Sequence, residues 1–70
     1  MNIDIIKLID LYFTKKYDLL LKISGEYIQY VDCPELSKLY NDIYWNYILD
    51  NIDYCDVHII KFIKLLHLQK

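Results

Sequence analysis

The chain has 70 residues and a net charge of −2; 56% of its residues are apolar, 16% aromatic and 26% charged. This is too apolar for intrinsic disorder, and a slightly acidic chain without arginine is a poor neutraliser of phosphate. Two cysteines are too few for a disulfide scaffold, charges interrupt every apolar run before the ~18 residues of a membrane span, and the length leaves room for one domain, 1–70.

The first element reads as a helix. Ile5, Ile6, Ile9, Tyr12 and Phe13 recur with helical spacing, and Leu20 and Ile23 continue the stripe. Lys16 falls in that stripe, so either the helix breaks near Lys15-Lys16-Tyr17-Asp18 or Lys16 snorkels to water. Residues 19–31 admit two readings. As a helix, Leu20, Ile23, Tyr27, Tyr30 and Val31 share a face, with Gly25 costing ~1 kcal/mol. As a hairpin around Ser24-Gly25, Leu21 opposes Ile28 and Leu19 opposes Tyr30. The helix is preferred, because an isolated hairpin is marginal. Gly25 also suits the position just past a helix end.

Pro34 and Glu35 mark the first turn of the next helix. Leu36, Leu39, Tyr40, Ile43, Tyr44 and Tyr47 form one stripe on it. Trp45, Ile48, Leu49 and Ile52 form a second on nearly the opposite side. A helix apolar on two faces is either central or buried at a second interface. The last helix is expected to start near Asp53 or Asp56, with Ile59, Phe62, Ile63 and Leu66 inward and Val57, Leu65 and Leu68 beside Lys61 and Lys64.

The expected fold is therefore all-α, a compact bundle of three to four short helices. The alternative is an α+β fold with a small hairpin at about 19–31. There are 12 Ile, 11 Leu and 8 Tyr in the chain. A globule this small buries only about 60% of its unfolded surface, so some of these residues must face a partner or water.

Chemistry-bearing constellations are thin. Cys33, Cys55, His58 and His67 are the candidate metal ligands. Only one Cys-x-x-His pair exists, however, and the two histidines point to opposite sides of one helix, so no metal and no cofactor is assigned. Cys55 with His58 could form a thiolate–imidazole pair oriented by Asp53 or Asp56, but nothing marks an oxyanion site and no catalytic residue is assigned. The fourth helix, with Phe62, Leu65, Leu66 and lysines 61, 64 and 70, has the makings of a membrane-surface helix. Its plainer reading is a packed helix with solvated lysines. The N-terminus lacks a basic region and no small-residue cleavage site follows Phe13, which argues against a signal peptide. Cys33 and Cys55 are then expected as reduced thiols in the cytoplasm.

Aromatic residues dominate what remains. Tyr27, Tyr30, Tyr40, Tyr44, Trp45, Tyr47 and Tyr54 are of the types that anchor interfaces. Core positions are expected for Tyr30, Tyr40 and Tyr47, and a protein-binding face for Tyr44, Trp45, Leu49 and Ile52. The function expected is a non-enzymatic interaction module that occludes or bridges a protein partner and also forms a homo-oligomer. The alternative is a small helical regulator that binds nucleic acid as a dimer. The chain has no Ala or Arg but abundant Ile, Lys, Asn, Asp and Tyr. That is the mark of AT-rich codons, as in a virus, a phage or a low-GC bacterium.

Overall fold

Asp4 opens the first helix. Its backbone is extended and its carboxylate accepts the Lys7 amide at 3.1 Å, satisfying one orphan donor of the first turn. In the computed structural model, which describes residues 2–69 apart from the side chain of Ile52, α1 spans Ile5–Phe13, α2 Tyr17–Ile28, α3 Pro34–Ile48 and α4 Ile52–Leu68. The described residues hold no strand, so the fold is an all-α bundle and the hairpin at 19–31 is overturned. Leu20, Leu21, Ser24 and Tyr27 are buried along one side of α2, a spacing that a helix provides and a strand does not.

Two helices stop without glycine. After α1, Lys15 takes φ 59°, its amide donates to the Tyr12 carbonyl at 3.1 Å, and the Lys16 amide donates to the Leu11 carbonyl at 2.9 Å. After α3, Asp50 takes φ 60°, its amide donates to Tyr47 at 3.0 Å, and the Asn51 amide donates to Asn46 at 2.8 Å. Both are Schellman turns, with a lysine and an aspartate held in the left-handed conformation that favours glycine. The second turn replaces the usual apolar contact with a hydrogen bond from Asn51 Nδ2 to Asn46 Oδ1 at 3.1 Å. It also ends α3 earlier than the sequence suggests. Leu49 is a cap, Ile52 already belongs to α4, and α4 starts ahead of Asp53 and Asp56 with Asn51 as its cap.

The glycine sits elsewhere. Gly25 lies inside α2, not past its end, and a Cβ there would stand 2.5 Å from Tyr40 Oη. The absent side chain lets the Tyr40 ring lie against α2, where its hydroxyl donates to the Leu21 carbonyl at 3.1 Å.

The helices pack side by side in a ring, α1 on α2, α2 on α3, α3 on α4 and α4 on α1, with side chains alone reaching across from α2 to α4. No helix is central. The core is Leu8, Leu20, Leu36, Ile43, Ile59, Phe62 and Leu66, all nearly sealed from water, with Ser24 among them donating to the Leu20 carbonyl at 2.6 Å. The inner face read for α4 is as expected, and burial of Phe62 and Leu66 removes them from any membrane-surface role. No helix among the described residues is long and apolar enough to cross a membrane.

Two expectations for the core are corrected. In α1 the buried residues are Ile5, Leu8 and Leu11, while Ile6 and Phe13 are 79% and 72% exposed and Ile9 is also exposed. The packing surfaces of α2 and α4 select the face rotated from the expected stripe. Tyr30, expected in the core, is 70% exposed, because the chain leaves α2 at Ile28 just before it. Tyr40 and Tyr47 are half-buried as cross-braces. The Tyr47 hydroxyl donates to Asp18, and the Tyr17 hydroxyl donates to Asp56 at 2.9 Å across to α4.

Candidate protein-binding surfaces

The first surface lies at the C-terminal end of α3. Tyr44, Trp45, Ile48 and Leu49 are all exposed, Trp45 by 59% and Leu49 by 73%. Helical spacing puts Trp45, Ile48 and Leu49 on one side even though Leu49 is the cap. The Tyr44 and Trp45 rings meet edge-to-face at 5.8 Å, and Tyr44 stacks on the half-buried Tyr40 at 6.3 Å. Of the four expected site residues, Tyr44, Trp45 and Leu49 therefore share this end of the molecule. The backbone of Ile52 opens α4, and its side chain lies outside the described residues.

Aspartates gather beyond the tip of this face, while Lys22 borders its flank in a hollow with Tyr44 and Ile48, and Lys38 lies two turns before Trp45 on the same side of α3. Between Lys38 and Lys61 the chain holds no Lys or Arg but four aspartates, Asp42, Asp50, Asp53 and Asp56. Asp50 and Asp53, either side of the turn that follows Leu49, are exposed.

The second surface was not expected from the sequence. A groove of about 690 Å³ runs between α1 and α4, bordered by Ile6, Ile9, Ile63, Lys64, His67 and Leu68. It continues into a smaller hollow of about 330 Å³ edged by Phe13 and Ile60. The two helices are antiparallel here: the start of α1 lies level with His67 and Leu68, and its end level with Ile60. Ile63 is buried and forms the floor, while Ile6 and Phe13 stand proud at either end. One signal for it was available. Seven of the nine residues of α1 are apolar, so a helix covered on one side had to leave some of them outside.

The chemistry read from Cys55 and His58 is not assembled. Cys55 is buried, its thiol lies 3.6 Å from the Ile43 carbonyl, and burial pushes the thiol up, away from the thiolate that a nucleophile needs. His58 lies edge-on to the Tyr54 ring, 3.8 Å between centroids. Cys33 and Cys55 are both free, and no group of three or more His, Cys, Asp or Glu side chains among the described residues is placed to hold a metal ion.

A polar cluster braces the α1–α2 turn. Lys15 Nζ lies 3.3 Å from the Tyr17 hydroxyl and 3.7 Å from Asp56. Hydrogen bonding to Tyr17 raises the Lys15 ammonium. Burial first, and the bond to Asp56 second, raise the Tyr17 phenol. Burial also raises Tyr40, and the bond to Asp18 raises Tyr47. These groups hold elements together and line no cleft.

No protein-family model matches the chain, and no curated protein and no solved structure matches it significantly.

Proposed function

We propose that the chain is a non-enzymatic protein-interaction module whose Trp45 face docks on a partner protein bearing an apolar surface rimmed by basic side chains. The observation that carries this is the exposure of Tyr44, Trp45, Ile48 and Leu49 together, with the exposed acids Asp50 and Asp53 beyond the tip of the face. Truncating a tryptophan anchor at an interface typically costs about 2 kcal/mol or more of binding. The aspartates around it reject an acidic partner and steer a basic one. They also count against nucleic acid as the ligand of this face. A chain of this size acts by covering its partner's surface, which makes it an occluding or bridging modulator. The AT-rich codon pattern fits such a role in a virus or phage acting on a host protein.

Affinity capture from the native host, with the wild-type chain beside Trp45→Ala and Leu49→Asp, tests this. A protein held by the wild type and lost by both variants, while both still melt cooperatively, supports the reading. Binding of that purified protein should also shift the emission of Trp45, the sole tryptophan, to shorter wavelength. Capture that both variants retain overturns it.

A further inference from the structure

We propose that the groove between α1 and α4 seats a second copy of this chain, forming a two-fold dimer in which α1 of each copy lies on α4 of the other. The inference uses a different face from Trp45 and stands independently of the partner reading.

Three observations choose the occupant. The first is area. Ile6, Ile9, Phe13, Ile60 and Leu68 expose on the order of 600 Å² between them, and their charged rim brings the face near the ~800 Å² per partner of a stable dimer. The second is shape. Ile6 and Phe13 are knobs at the two ends of a hollow that α4 helps to form. A two-fold axis along the groove preserves level. It therefore sets Ile6 of one copy over Leu68 of the other, and Phe13 over Ile60, so that exposed apolar side chains meet at both ends of the groove.

The third observation is charge. Asp10 is exposed beside the Ile6–Phe13 stripe of α1, and Lys64 is exposed on the rim of α4. The antiparallel register puts Asp10 near the level of Ile63 and Lys64. Stacking α1 on α4 of the other copy thus brings Asp10 to Lys64 twice, once on each side of the axis. That complementarity assigns self-association to the groove.

Sedimentation over a concentration series tests this, with charge reversal as the probe. The wild type is expected to pass from monomer to dimer as concentration rises, with unchanged Trp45 emission, since that side chain lies outside the interface. Phe13→Asp is expected to remain monomeric and folded, Phe13 being a surface residue. Asp10→Lys and Lys64→Asp each set like charges opposite one another at two symmetric points. Each should weaken the dimer about tenfold. The double variant, which restores opposite signs, should regain most of the loss. A wild type that stays monomeric throughout overturns the proposal, as does a dimer indifferent to Phe13→Asp. Failure of the double variant to recover overturns the stacking of α1 on α4. If Phe13→Asp should fail to fold, the two charge variants and their combination decide alone.

Discussion

The Trp45 face and the α1–α4 groove are both apolar and both open to water, yet their surroundings differ in kind. The Trp45 face is a ridge on one helix end, with Asp50 and Asp53 beyond its tip and Lys22 on its flank. The groove is a recess between two helices, with Asp4 and Asp10 on the α1 side and Lys64 on the α4 side. Apolar area supplies the attraction in both cases and says little about the occupant. Where the charges stand makes the distinction. Acids gathered beyond one tip favour a basic partner there, and an acid and a base on opposite sides of a groove can be satisfied by a second copy.

The comparison breaks at once if either face is core. Phe62→Ala, in the sealed interior, is expected to cost about 3–5 kcal/mol, enough to unfold much of a small domain. Trp45→Ala should cost about 1 kcal/mol or less, as a substitution at an exposed site. Urea unfolding of the two variants side by side measures this, and equal losses would remove the Trp45 face from the surface.

Alkaline pH probes what lies beneath the Trp45 face. Tyr40 and Tyr47 brace α3 against α2, and Tyr17 braces α2 against α4, with their phenols raised above the ordinary tyrosine value. A raised phenol stabilises the fold fully below its unfolded pKa of about 10 and loses that contribution as pH climbs through its folded value. Melting temperature should therefore fall as pH rises above about 10, and Tyr17→Phe should show a shallower fall. An unchanged melt over that rise would mean that the hydroxyls are not held as described.

Asp50 separates stability from binding at one residue. Asp50→Gly relieves the left-handed backbone and should stabilise the fold by about 1 kcal/mol in a urea titration. It also removes one acid from the Trp45 rim, so affinity for a basic partner should drop as stability rises. Parallel changes would show that the rim charge does not steer binding.

The smallest expected effect is at Gly25. Alanine inside a helix normally gains about 1 kcal/mol over glycine. Gly25→Ala should show no such gain in a thermal melt, because the new Cβ pushes Tyr40 and, through their stacking, Tyr44 at the edge of the Trp45 face. A clear rise in melting temperature would mean that Tyr40 moves aside freely.

The sequence by itself determined that this chain is helical, and it determined the inner faces where apolar and polar residues alternate clearly. Leu36, Leu39 and Ile43 on α3, and Ile59, Phe62, Ile63 and Leu66 on α4, are spaced so that only one rotation of each helix hides them. Pro34 marked the start of α3 because its fixed φ and missing donor suit a first turn. The same periodicity set Trp45 opposite the buried stripe, but only the packing, in which α3 is not central, left that side exposed. Other features had no local signature. Helix α1 is apolar at seven of its nine positions, so its periodicity permits several faces. Only the surfaces of α2 and α4 select Leu8 and Leu11 as buried and leave Ile6 and Phe13 at the groove. The turns at Lys15 and Asp50 lack the glycine that announces a left-handed cap; there the packing of the flanking helices imposes the backbone against the residue's own preference. Gly25 reads as a stop and acts as a recess for Tyr40, a residue fifteen positions away. Local sequence fixes the helical period. Which way a nearly uniform helix turns, and which glycine makes room rather than a turn, depends on atoms that only the folded chain brings near.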